Sequence, residues 1–356
     1  MQFVLATETS PINAGKPTPD ANNSFTLLRL LLASLVIVAH AAELSDGNRS
    51  REIFHLLGGQ MSAGECAVEA FFVVSGFLIL QSWSRQPKLG AYLMKRILRI
   101  VPAFLAAYLI SVFVVGWLGG GPTYLADLLR PSGILALLPG LALLSYPSTP
   151  PVFAGSHYPL VNGALWTITY EFRCYLLIPL LASLGFYWKR TIFLAGWLGV
   201  VLIAGVYSLA HLRDAMSLGL VRFVPFFLAG NCAWLYRDRI AWGRIAGIVT
   251  ILAAVLSMAS LAATRFVLPV AGSYAILWLA LSPWSPLQHF SPSSDISYGV
   301  YLYGWPSQKL LLWYFPNLPL IAQIVLTLSA SLGLGWISWH LVEKRFLALK
   351  PTRAAA

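Results

Sequence analysis

Ten apolar runs follow one another along this chain, each close to the roughly 20 residues that a helix needs to cross a bilayer. They lie near 25–42, 67–83, 98–118, 164–184, 191–209, 217–235, 245–262, 266–283, 296–314 and 319–341. Only 10% of the 356 residues are charged, against 58% hydrophobic. A water-soluble domain is about a quarter charged, so a conventional soluble enzyme is excluded. The expected fold is an all-α integral membrane bundle of about ten transmembrane helices. An eleventh apolar stretch, 132–145, is only 14 residues long and is flanked by Pro and Gly. That length favours a re-entrant or interfacial segment over a crossing. The expected organisation is a polar N-terminal tail over 1–24, a membrane domain over 25–346 and a short C-terminal tail over 347–356. The tail shows no basic start followed by an apolar core and a small-residue cleavage site, so no signal peptide is expected.

The basic residues orient the bundle. With the N-terminus inside and ten alternating helices, 15 of the 24 lysines and arginines face the cytoplasm, Lys16 and Arg353 among them. Five face outward, Arg213 among them. Arg29, Arg173, Arg222 and Lys309 fall inside helices. This asymmetry obeys the positive-inside rule and puts both termini in the cytoplasm. It also accounts for the net charge of +11 without a nucleic-acid partner, since the cations are scattered between apolar runs. Three cysteines, Cys66, Cys174 and Cys232, have no metal or redox spacing, and no metal is expected.

A charge inside a bilayer costs on the order of 2.5–3.5 kcal/mol at a helix centre, so each one calls for a use. Arg29 and His40 share the first helix. Eleven residues at about 100° each bring them back to one face, about 16 Å apart along the axis. Glu43, one turn further, falls on a neighbouring face where it could orient the His40 ring. A snorkelling arginine and a packed histidine are the structural alternative. In YLMKRILRIVP, Arg96 and Arg99 lie one turn apart where the third helix begins, a fork suited to phosphates. Ordinary positive-inside anchoring is the competing explanation. Glu171, in LWTITYEF, sits about 10 Å into its helix. Arg173 or Arg222 would neutralise it structurally; an acid–base or acceptor-binding carboxylate is the functional reading. Ser75-Gly76 permits close helix packing. Tyr298 and Tyr301, in ISYGVYLYGWP, are candidates to line a cavity, and buried Lys309 calls for a carboxylate partner. A proton-coupled transporter or flippase would also use midplane groups such as His40 and Glu171.

Together these segments resemble the acyltransferase-3 family of bacterial membrane proteins. The resemblance runs from about Asn23 to Phe346. It rests on the Arg29/His40 pair in FTLLRLLLASLVIVAH, on EAFFVVSGFLI, RILRIVP, LWTITYEF, RFVPFFLAG, DISYGVYLYGWP and HLVEKRF, in that order. It implies transfer of an acyl group, usually acetyl from acetyl-CoA, to a hydroxyl of a cell-surface or lipid-linked saccharide, in the bacterial inner membrane. It assigns the essential pair to Arg29 and His40 and the CoA side to Arg96 and Arg99, and it extends to Glu171. Gly304 stands where many members have a histidine, and Glu343-Lys344-Arg345 where many have Glu-Lys-Pro. The first departure argues against a second catalytic histidine there.

Overall fold

The computed structural model describes residues 24–210, 219–289, 292 and 294–350. Most of the expected N-terminal tail, with Lys16, lies outside them, as do His211, Arg213 and Arg353. The described residues are helical almost throughout, with no strand beyond one isolated bridge between Gly120 and Val152.

Each of the ten apolar runs falls on a helix. Six helices are long and apolar enough to cross a membrane: α1 (Phe25–Asp46), α2 (Ala63–Arg85), α3 (Leu89–Gly119), α6 (Arg190–Ala210), α9 (Leu261–Gln288) and α11 (Leu320–Leu347). They mark a multi-pass membrane protein. The others are α5 (Trp166–Ser183), α7 (Gly219–Leu235), α8 (Arg244–Ser257) and α10 (Ser297–Tyr314). α8 has only 14 residues, about 21 Å at 1.5 Å per residue, short of a hydrocarbon core of about 30 Å. The 132–145 stretch forms a thirteen-residue helix, α4 (Pro131–Leu143). It stops where Leu144 turns left-handed at φ 53°. π turns interrupt α3 at Ser111–Val115, α9 at Leu268–Gly272 and α11 at Trp339–Glu343.

Two compact units emerge. The first comprises Glu69–Tyr92, Arg173–Ser291 and the segment ending at Phe25. Its centre is the contact of α2 with α7. A Cβ on Gly76 would stand 2.0 Å from the Phe227 carbonyl oxygen, and one on Gly230 would stand 2.1 Å from that of Val73. Only glycine permits this approach, as expected for the Ser75-Gly76 pair. Buried Asn231 bonds the Gly76 and Phe227 carbonyls at 3.0 Å and accepts from Tyr187 Oη at 2.7 Å. Arg222 donates to Glu69 Oε1 at 2.9 Å, both side chains buried. Arg222 thus has a carboxylate partner in Glu69, on the helix packed against α7.

The second unit comprises Thr26–Val68, Leu93–Phe172 and the segment from Pro292. Side-chain amides tie α1 to its neighbours: Gln308 donates to the Ile37 carbonyl at 3.5 Å, and Gln323 to that of Ala41 at 3.2 Å. Asn162 donates to Leu302 O at 2.9 Å and to Ser111 Oγ at 3.1 Å. Where helices gain little from hydrophobic association, such polar bonds and small contact residues hold them together. α4 packs on α3 through Tyr108, whose hydroxyl donates to Leu137 O at 2.7 Å.

Candidate active site

Every candidate site residue lies in the second unit. At the N-terminal end of α1, Arg29 Nη2 stands 3.1 Å from Asp295 Oδ2. Arg99 Nη2, on α3, reaches the same oxygen at 2.5 Å. Nη1 of Arg99 faces Glu343 Oε2, on α11, at 3.5 Å. Two arginines far apart in sequence thus share one carboxylate, and a second carboxylate backs one of them. Ser297 donates to Asp295 Oδ1 at 2.6 Å, and Ser338 to Glu343 Oε1 at 3.3 Å. Burial pushes the Asp295 carboxyl up, but Arg99, Arg29 and the Ser297 hydroxyl overcome it and hold it down at about 2. The carboxylate is ionised at any physiological pH.

Tyr298, just after Asp295 in the chain, lies under the Arg99 guanidinium at 5.9 Å and donates to Ile100 O at 3.2 Å. It belongs to this cluster. Tyr301, nearly one turn on, is directed elsewhere: its hydroxyl pairs with Thr167 Oγ1 at 2.7 Å and bonds Ala164 O at 3.1 Å. Tyr301 therefore anchors α10 to the start of α5. Thr167 lies one turn before half-buried Glu171. Beyond Leu347 the chain brings Lys350 against Arg99, Arg96 and Lys95. Burial, then those three cations, lower the Lys350 ammonium to about 8. Arg29 thus stands beside Arg99 through their shared carboxylate, and Lys350 lies within electrostatic reach of Arg99 and Arg96.

His40 lies near the opposite end of α1, where Nδ1 makes a 2.7 Å bond to the Val36 carbonyl. A carbonyl only accepts, so Nδ1 carries a proton, which leaves Nε2 as the nitrogen that can hold a lone pair. The Trp305 ring meets the imidazole edge-on, with centroids 5.5 Å apart. Trp305 is held by Leu160 O at 3.3 Å and by the Tyr158 ring. Glu43 does not orient the imidazole. Its Oε1 accepts from Tyr158 Oη at 2.5 Å and from Arg49 Nε at 2.6 Å. The loop supplies better-matched donors, and a backbone carbonyl does the orienting.

Lys309 also departs from expectation. Its ammonium takes no carboxylate among the described residues; it donates to Ser156 Oγ at 2.9 Å and stands 4.9 Å from the centroid of the Phe153 ring. A hydroxyl and an aromatic face partly replace the hydration of a buried cation.

Sequence reasoning missed Asp295, Glu343 and Lys350. The first two stand inside DISYGVYLYGWP and HLVEKRF. Their signal was a charge at the edge of an apolar run, which reads equally as anchoring.

The chain matches a family described as acyltransferase domain over residues 22–340. It is 28% identical over 350 residues to an O-acetyl transferase of Shigella phage Sf6, covering 92% of this chain and 96% of the relative. It is 27% identical over 368 residues to nodulation protein 10 of Rhizobium leguminosarum bv. viciae, covering 94% and 95% respectively. A shorter match, 28% identical over 163 residues, links it to acyltransferase MdmB of Streptomyces mycarofaciens, covering 44% of this chain and 38% of that one. No solved structure matches. With a helical fold to match and a family likeness spanning nearly its whole length, the chain belongs to the acyltransferase-3 family and is an acyltransferase.

Proposed function

We propose that this protein transfers an acetyl group from cytoplasmic acetyl-CoA to a hydroxyl of a cell-surface or lipid-linked saccharide. The observation that carries the reading is the polarity of α1: guanidiniums converge at one end, and an imidazole with an available Nε2 stands about 16 Å away along the same helix. CoA has the same polarity, with phosphates at one end and the thioester at the other. Arg29, Arg96 and Arg99 hold the phosphates, with Lys350 beside them. Guanidiniums suit phosphate oxygens because they offer paired donors in one plane.

The pantetheine arm then lies along α1 and delivers the thioester to His40. Nε2 takes the proton of the sugar hydroxyl as its oxygen attacks the thioester carbonyl carbon. The tetrahedral adduct collapses, the carbon–sulfur bond breaks, and the imidazolium returns the proton to the leaving sulfur, giving the ester and free CoA. The Val36 carbonyl keeps the ring in the tautomer that this requires. Glu171 positions the acceptor through its hydroxyls. Ten crossings with both termini cytoplasmic, and α4 dipping in without crossing, put the arginines on the donor side and His40 toward the acceptor. The bacterial inner membrane is the corresponding location.

The test is acetyl transfer by purified protein, measured beside CoA binding and melting temperature. His40→Ala loses about 10²–10⁴-fold or more in transfer and keeps CoA binding. His40→Gln does the same. A stable, CoA-binding His40→Gln protein with wild-type transfer would sink the assignment. Wild-type protein that moves a solute across vesicles and never cleaves acetyl-CoA would replace it with transport.

A further inference from the structure

The first unit, which holds none of the proposed acyl-transfer residues, carries a site of its own. α6, α7 and α9 enclose a cleft of about 340 Å³, within the size range of small-ligand sites. Its walls are apolar, with Trp197, Ala229 and Leu277 buried and Val270 half-exposed at the rim. One side is preformed. Tyr274 Oη donates to Ala241 O, Trp278 Nε1 donates to Gly243 O at 2.9 Å, and Ser282 Oγ donates to Trp242 O at 2.8 Å. These bonds fix the 241–243 loop against α9.

Two polar features break the apolar lining, and they point to one kind of ligand. Ser273 follows the π turn of α9 and is 4% exposed, yet its hydroxyl has no hydrogen-bond partner. A serine within a helix ordinarily returns its hydroxyl to a carbonyl of the preceding turn, and a buried polar atom left unmatched in a cavity marks a place for a partner. Arg239 lines the same cleft. It is exposed, and its guanidinium has no carboxylate partner among the described residues. The neighbouring Asp238 carboxylate is taken by Arg190, at 2.6 and 2.8 Å. Lys189, Arg237 and Arg244 add positive charge nearby in the chain, and no acidic side chain lines the cleft.

We propose that this cleft binds an anionic glycerophospholipid. One acyl chain fills the apolar slot, its ester carbonyl accepts from Ser273 Oγ, and its phosphate rests on Arg239. A neutral amphiphile leaves Arg239 idle, and a free phosphate leaves the slot empty. An anionic lipid uses both.

The experiment uses the purified full chain with two lipids of identical acyl chains, phosphatidylglycerol and phosphatidylcholine. Native mass spectrometry reads retention and thermal unfolding reads stabilisation. The wild type is expected to prefer phosphatidylglycerol by roughly fivefold, the contribution of one interfacial cation. Arg239→Gln, a surface change, removes that preference and leaves residual binding of both lipids. Ser273→Ala weakens both lipids without altering their ratio. Val270→Trp, at the exposed rim, blocks both. Equal retention of the two lipids by the wild type overturns the proposal, as does an unchanged preference in Arg239→Gln. A polyprenyl phosphate that displaces phosphatidylglycerol at equal concentration overturns the choice of occupant. No readout depends on acetyl transfer, so the site stands or falls separately from the proposed reaction.

Discussion

Replacing Asp295 by Asn leaves two guanidiniums facing each other with one carboxylate fewer between them. The wild-type cluster of Arg29, Arg99, Asp295 and Glu343 brings two cations against two acidic groups. A unit pair near 4 Å gains about 4 kcal/mol at an effective dielectric of about 20. Removing one partner of a buried pair typically costs about 3–5 kcal/mol. Arg29, Arg99 and Asp295 retain between 15% and 24% of their exposure, so solvent returns part of that. The expected loss is about 2–3 kcal/mol. The pH signature follows from the sign. The carboxyl sits at about 2 in the folded protein against 3.8 ordinarily, so its contribution is complete above the ordinary value and is lost as pH falls through about 2. The Asp295 carboxyl itself should therefore add no slope to the stability gap between wild type and Asp295→Asn from pH 8 to 5. An anionic donor can replace the missing carboxylate, so acetyl-CoA should raise the melting temperature of Asp295→Asn more than that of wild type. The assay is thermal unfolding in detergent, with and without acetyl-CoA, across that pH range. A variant as stable as wild type, or one that acetyl-CoA stabilises less, refutes the argument that Asp295 occupies the donor's phosphate site.

Other outcomes follow from the same geometry. Arg99→Ala should raise the KM for acetyl-CoA more than it lowers kcat, and Arg99→Lys should recover only part of the loss because the fork is gone. Lys350, lowered to about 8, gains its charge as pH falls through that value. The KM for acetyl-CoA should rise between pH 7 and 9 in wild type, and that rise should shrink in Lys350→Gln. Glu69→Gln removes the charge of a buried partner of Arg222 in the other unit. It should destabilise by about 3 kcal/mol in thermal unfolding, while the KM of the protein that remains folded stays unchanged.

How much of this was legible beforehand depends on range along the chain. Helix positions follow from runs of apolar residues, a local property, and every run found its helix. Span lengths were less legible. α8 ends at Ser257 because the chain turns there and restarts at Leu261, and nothing in the apolar pattern of 245–262 announces that break. The π turns were silent for a similar reason. A one-residue slip in hydrogen bonding leaves hydropathy untouched.

The site shows the same division more sharply. Arg29 and His40 were placed on one face by helical arithmetic alone, and Arg96 and Arg99 likewise. What arithmetic on single helices cannot supply is the counter-charge. Asp295 is 266 positions from Arg29 and 196 from Arg99. It stands just before α10, where a carboxylate reads as interfacial. Glu43 shows the converse error, since proximity in sequence made it the natural partner for His40. Arg49 and Tyr158 bind it instead, because a carboxylate prefers a charged donor and a hydroxyl to a ring nitrogen already committed to a carbonyl. Local periodicity thus identifies which polar groups face inward, and only packing decides which of them neutralise one another. The arginines lean on acidic groups and the imidazole on a neutral carbonyl. That difference suits the proposed reading, in which the arginine end holds phosphates and the imidazole end takes a proton.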